Sequence, residues 1–297
     1  MSSGLLASAQ TLVAMALLGV ALLALPRALL LAWETYALAP AARAMALAAT
    51  GLAALLRWVL APFGLATVFV GYRWTQQCID LYPVPHYGIG GAAFYHALLA
   101  FLPHDHLSLI WANAVIGVLT VPLVAALAAR LFEDRRAGAL AALFVAVVPL
   151  FVRNDTSDAN NVPILLWLVA GLVLLEHYAR TRRISSLVLS LALLALAAIS
   201  RPEMPAVVLV WCAVVVLGSA SRRELLRDRK LWLAVAAGAA LIVPHALHVF
   251  GMVGELQGRS SLPGLGWHQL ARPYWLLVQS DTLVQPGLFP LPHPGQL

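Results

Sequence analysis

Long apolar runs separated by short polar breaks make up most of this chain. A helix needs about 20 apolar residues to cross the hydrocarbon core of a bilayer. On that rule spans are predicted near 9–32, 44–70, 107–129, 137–152, 162–179, 184–200, 203–219 and 231–250. The breaks alternate between two kinds. One kind carries compact arginine clusters: Arg130/Arg135/Arg136, Arg180/Arg182/Arg183 and Arg222/Arg223/Arg227/Arg229/Lys230. Basic residues collect in short cytoplasmic loops, so these clusters predict which end faces inward. The other kind, at 71–106, 153–161 and 200–203, holds isolated acids and faces outward by the same argument, as does the N-terminus. The first hairpin has weaker support, from Arg27 and Arg43 alone. Arg57 falls inside its second apolar run and must snorkel or face a protein interior.

The expected organisation is therefore an N-terminal transmembrane hairpin (1–70), a membrane domain (71–250) and an outward tail rich in Gly and Pro (251–297). The first outward loop opens with Tyr82-Pro83-Val84-Pro85-His86-Tyr87-Gly88, which proline keeps out of regular helix. An apolar stretch at 89–102 follows; it is too short to span and is predicted as a surface helix. The second outward loop, Asn154 to Asn161, is dense in residues that cap helices. The third, Ser200-Arg201-Pro202-Glu203, is a tight turn.

Composition agrees with a polytopic membrane protein. Of 297 residues 62% are hydrophobic and 11% charged, with mean hydropathy +0.86. A soluble domain carries about 25% charged residues. The net charge of +6 lies mostly in the three clusters, which suits topology and anionic headgroups and gives no reason to invoke nucleic acid. The two cysteines, Cys78 in a loop and Cys212 in an apolar run, are placed at different depths and are not expected to pair. The apolar stretch near the N-terminus lacks a preceding positive charge and is too long for a signal peptide, so it reads as a retained helix.

Four sites could carry chemistry. Asp80, beside Arg73, Trp74, Gln76 and Gln77, could serve as a general base on an incoming hydroxyl or amine. From the loop alone, an ordinary solvated acid explains it better. Asp155 and Asp158, with Asn154, Asn160 and Asn161, suit a functional role or simple capping about equally, with a hard divalent cation such as Mg or Mn ranked below both. Arg201, held by a proline-fixed turn, could grip a phosphate or pair with Glu203. His86 and His96 flank the Pro-rich stretch as weaker candidates, while Glu176 and His177 look structural. No Walker loop, GxGxxG, GxSxG or HExxH pattern is present.

Four local patterns occur in a shared order. They are Tyr82-Pro83-Val84-Pro85 before a surface helix, a span ending in Ala128-Ala129-Arg130-Leu131-Phe132, the Ala-rich run from Ala137 to Pro149 before an Asp-bearing loop, and the turn Ile199-Ser200-Arg201-Pro202. Together they resemble the integral-membrane glycosyltransferases of the GT-C fold, in particular the bacterial dolichyl-phosphate-mannose-protein mannosyltransferase-like group (glycosyltransferase family 39-like), from about Tyr72 to Phe250.

The apolar runs predict an all-α polytopic bundle of about eight spans, and the resemblance implies that it is GT-C-like and lies in a bacterial inner membrane. It implies sugar transfer from a polyprenyl-phosphate donor to a glycan, lipid or protein acceptor on the non-cytoplasmic face. It implies a catalytic acid in the first outward loop, here Asp80 without the glutamate that commonly accompanies it. Arg201, Asp155, Asp158, His86 and Tyr82 would then contact the donor, with Asp155 and Asp158 the places for any divalent cation. Such proteins usually continue into further spans beyond the point equivalent to Leu297. The alternative functions are a transporter or flippase-like carrier of lipid-linked sugar, and a truncated non-catalytic relative. The carrier is disfavoured because the polar groups sit in loops and the chain lacks repeated halves.

Overall fold

The computed structural model describes residues 3–60, 77–81, 88–104, 106–157, 159 and 161–259. The helices, in chain order, are α1 (Ser3–Tyr36), α2 (Pro40–Leu55), α3 (Ile89–Leu99), α4 (His106–Leu131), α5 (Arg135–Val147), α6 (Pro149–Asp155), α7 (Asn161–Thr181), α8 (Ile184–Ala198), α9 (Met204–Gly218), α10 (Arg222–Arg227) and α11 (Arg229–Arg259). A π-helical turn, Leu56–Leu60, extends α2, and residues 77–80 form one further helical turn. The chain divides into two compact units, Met1–Phe250 and Gly251–Leu297. In the second, only the helical residues 251–259 are described.

The architecture is all-α and polytopic. Each predicted span has a helical counterpart, but their lengths differ from expectation. Among the described residues, five stretches are long and apolar enough to cross a membrane: Ser8–Tyr36, Pro40–Val59, Leu107–Leu131, Asn161–Thr181 and Arg229–Leu247. Counting the bent pair α5 and α6 as one span makes six. The predicted spans at 184–200 and 203–219 are helices of only 15 residues each. At 1.5 Å per residue that is about 22 Å, short of a hydrocarbon core of about 30 Å. Those apolar runs included the tight turn at 199–203, which is not helical.

α7 is the centre of the first unit. It packs on α8, α4, α1 and α9, and a continuous run from Leu166 to Leu175 is buried on every side. A helix apolar all round is one enclosed by other helices. α9 and α11 lie outside this core, with Leu209, Trp211, Leu217, Trp232, Leu233 and Leu247 exposed. Such residues are at home against lipid.

The break between α5 and α6 follows from chemistry. Pro149 has no N–H to continue the ladder, Val148 turns extended (φ −61°, ψ 121°), and the two helices diverge by 62°. The Val145 carbonyl would have accepted from an N–H at residue 149, which proline lacks, and Ala146 lies one step further along. Both carbonyls are taken over by Arg57, as described below.

The arginine clusters gather at one end. Glu176, buried on α7, accepts from Arg130 at 3.0 Å and also from Arg180 one turn away. Arg130 reaches α1 as well, donating to Thr35 Oγ1 at 2.8 Å and to the Leu31 carbonyl at 3.2 Å. Arg182 lies 3.5 Å from Asp228 and 3.3 Å from Glu224, joining the end of α7 to α10 and the start of α11. The structural role expected of Glu176 is the one it has.

Candidate active site

At the opposite end, α3 connects the three acid-bearing breaks. Its N-terminus lies on the α8–α9 turn: Gly88 N donates to Ser200 O at 2.9 Å, and Gly90 N to Ile199 O at 3.3 Å. That approach needs glycine. A Cβ on Gly88 would stand 1.9 Å from the Ile199 carbonyl oxygen, and one on Gly90 would stand 2.4 Å from the Leu196 oxygen. The turn carries Arg201. α3 occupies the predicted place of the surface helix, but it is buried all round from Ile89 to Ala93 and again at Tyr95 and Leu99, and none of its residues is exposed, so it is a packed helix.

From α3 the connection continues in two directions. His96 Nδ1 lies 3.1 Å from Cys78 O and 3.0 Å from Ile79 O, which ties the turn 77–80 to the helix. Asp80 stands at the end of that turn, exposed. In the other direction, the Tyr95 hydroxyl donates to Asn113 Oδ1 inside α4. Asn113 Nδ2 donates to Ser157 O at 2.7 Å and Ala159 O at 3.0 Å, fixing the second acid-bearing loop. Both side chains are fully buried and every polar atom named here is matched. Arg201 Nη1 closes the circuit by donating to Asn161 Oδ1 at 2.5 Å, while its Nε lies 2.8 Å from Glu203 Oε1 as a charge contact.

Asp155 lies deeper. Its Oδ2 accepts from Arg57 Nε at 2.7 Å and lies 2.6 Å from Arg57 Nη2. Arg57 has no exposed surface. Its remaining donors reach Ala53 O at 3.3 Å, Ala146 O at 3.2 Å and Val145 O at 3.4 Å. The guanidinium thus caps the carbonyls freed at the α5–α6 break and neutralises the one buried acid beside it. A Cβ on Gly117 of α4 would stand 2.3 Å from Asp155 Oδ2, so only glycine admits the pair. Of the two alternatives for Arg57, it takes the protein interior.

Tyr82, His86 and Asp158 lie outside the described residues. Asp80, Arg201 and Asp155 are at the same end of the bundle, and Asp155 faces inward to Arg57. Among the described residues no three His, Cys, Asp or Glu side chains converge as ligands. With Asp155 Oδ2 held by Arg57, the described residues do not fit a divalent cation. Neither Cys78 nor Cys212 is in a disulfide, and Cys78 is buried.

Residues 86–248 match the family described as dolichyl-phosphate-mannose-protein mannosyltransferase, which is more than half of the chain. The chain belongs to that mannosyltransferase family. No curated protein and no solved structure matches it. Membership makes it a membrane glycosyltransferase of the GT-C type. The matched segment takes in α3, the loop after α6 and the α8–α9 turn, hence His96, Asn113, Asp155 and Arg201. Asp80 and Arg57 precede it.

Three parts of the site were not read from the sequence. Asn113 is a lone amide in an apolar run, and a polar residue within a span marks a packed or functional interior; that signal was available. The partner of Arg57 was not, because 98 residues separate it from Asp155. The use of His96 as a fastener for the Asp80 turn also needed the fold.

Proposed function

We propose that this mannosyltransferase-family protein moves a sugar from a polyprenyl-phosphate donor to an acceptor hydroxyl or amine at the end of the bundle opposite the arginine clusters. The observation that carries the reading is the docking of α3. It holds Asp80, Arg201 and the Asn154–Asn161 loop at one end through the bonds of Gly88, His96, Tyr95 and Asn113.

The acceptor oxygen or nitrogen attacks the anomeric carbon as its proton passes to the Asp80 carboxylate. The bond from that carbon to the phosphate oxygen breaks with inversion, and the lipid phosphate departs with the bonding pair. A lipid phosphate is a good leaving group, so the protein needs no covalent nucleophile. Its main task is to stabilise charge growing on the phosphate. Arg201 has that role, because the turn fixes its position and a guanidinium matches phosphate geometry. Asp155 acts through Arg57, fixing the start of the second loop, and no step is routed through a cation. The arginine clusters at the other end support a site on the non-cytoplasmic face.

The test is transfer from radiolabelled polyprenyl-phosphate hexoses and pentoses in membranes containing the protein, with Asp80→Asn beside the wild type. A positioned base is worth about 10²–10⁴-fold, so the variant should lose nearly all transfer and the product should carry the inverted anomer. Transfer by Asp80→Asn at the wild-type rate would remove Asp80 from the mechanism. Use of nucleotide sugars in place of lipid donors would remove the donor assignment.

A further inference from the structure

We infer that His96 is a positioning residue for transfer: it holds Asp80 in place through a hydrogen bond from Nδ1 to the backbone of the Asp80 turn. The inference rests on the reading of Asp80 as the base.

The geometry defines the bond. Cys78 O at 3.1 Å and Ile79 O at 3.0 Å can only accept, so Nδ1 carries the hydrogen and shares it between them. That fixes the ring tautomer: in neutral imidazole the lone pair is on Nε2, which takes no part in the tether. The two carbonyls belong to the last two residues before Asp80.

The turn is short, and it shares a small apolar cluster in which Cys78, Ile79 and Leu81 pack with Ala92, Tyr95 and Leu99 of α3 and Leu109 of α4. One turn of helix is far below the length that is stable alone. It ends on Leu81, whose N–H donates to Gln77 O at 2.8 Å and whose φ of 47° is left-handed. A leucine is strained in that region, and strain persists only where the surroundings enforce it. His96 supplies such enforcement from a rigid base, since α3 is buried against α1, α8 and α7. Asp80 is the residue next to the two bonded carbonyls. A small swing of the turn would move its carboxylate away from the acceptor, and an error of about 1 Å in such a position costs about 100-fold in rate.

Replacement by the two amides separates the ring nitrogens. Asn places an N–H where Nδ1–H stands, whereas Gln places its amide near Nε2. Two readouts are taken on the full chain in detergent: kcat and KM for transfer, and hydrogen exchange at the Leu81 amide. His96→Asn is expected to retain the tether, the slow exchange and most of the turnover. His96→Gln and His96→Leu are expected to lower kcat by about 100-fold with KM unchanged and to speed exchange at Leu81. If His96→Leu fails to fold, the Asn and Gln pair decides alone. Turnover in His96→Asn as low as in His96→Gln would overturn the inference, and so would slow Leu81 exchange in His96→Gln. Failure of the underlying reading looks different: Asp80→Asn remains active while the exchange pattern of the His96 variants is unchanged.

Discussion

The two ends of the bundle use arginine in opposite ways. At the cluster end the basic groups outnumber the acids. Glu176 accepts two arginines, Asp228 and Glu224 take Arg182, and Arg136, Arg183, Arg222, Arg223, Arg227, Arg229 and Lys230 remain exposed. At the other end Arg57 is matched by Asp155 and three carbonyls, and Arg201 by Glu203 and Asn161. Surplus positive charge fixes orientation in the membrane and fastens helix ends. Local pairing of these charges leaves the exposed Asp80 carboxylate and the Arg201 guanidinium in position to act on a substrate. Charges of the same type thus hold the fold at one end and are available for chemistry at the other.

The comparison can be broken most severely at Arg57. Removing one member of a buried ion pair strands the other, at a cost of about 3–5 kcal/mol. Arg57→Ala also frees the Val145 and Ala146 carbonyls, so it should destabilise more than Asp155→Ala when unfolding is followed in detergent. The double variant Arg57→Met/Asp155→Leu should recover part of the loss, because no lone buried charge remains. Next comes Asn113→Leu, which strands the Ser157 and Ala159 carbonyls and the Tyr95 hydroxyl. About 1–3 kcal/mol is expected, together with reduced transfer, because the second loop loses its attachment to α4.

At the cluster end the effects should be smaller. Arg182→Gln breaks half-exposed pairs and should cost under about 1 kcal/mol, with no change in transfer. Smallest is a pH effect at Asp228, whose carboxyl is held below its ordinary range first by the hydrogen bond from Tyr178 and then by Lys230 N–H and Arg182. A depressed pKa contributes stability above the ordinary carboxylate value, and that stability is lost as pH falls through the lower folded value. The melting temperature of wild type should therefore fall towards that of Asp228→Asn only in strong acid and stay above it at neutral pH.

How much of this was legible in the sequence differs between the two ends. The cluster end was readable because its logic is compositional: arginines after apolar runs give topology without any knowledge of partners. The helical class followed from the same runs. Span lengths did not follow to the residue: the two spans beside the 200–203 turn were drawn two residues too long each, because apolar counting does not mark where a helix ends. At the other end, Asp80 and Arg201 were assigned to one site by the family resemblance, without the contacts that join them. Their connection runs through Gly88, His96 and Asn113, whose roles depend on close approach between segments distant in sequence. Asp155 shows the limit most clearly. Its loop composition suited a functional role as well as a cap, and only the packing of α2 against α5 brings Arg57 to it.

The most direct test compares Asp80→Asn with Glu176→Gln, one acid from each end, by transfer rate per folded molecule in the same membranes. Asp80→Asn should fold to wild-type yield and lose its rate. Glu176→Gln should lower the folded yield and leave the rate per folded molecule unchanged. The reverse pattern, with full rate in folded Asp80→Asn and a lost rate in folded Glu176→Gln, would place the chemistry at the arginine-cluster end and contradict the account.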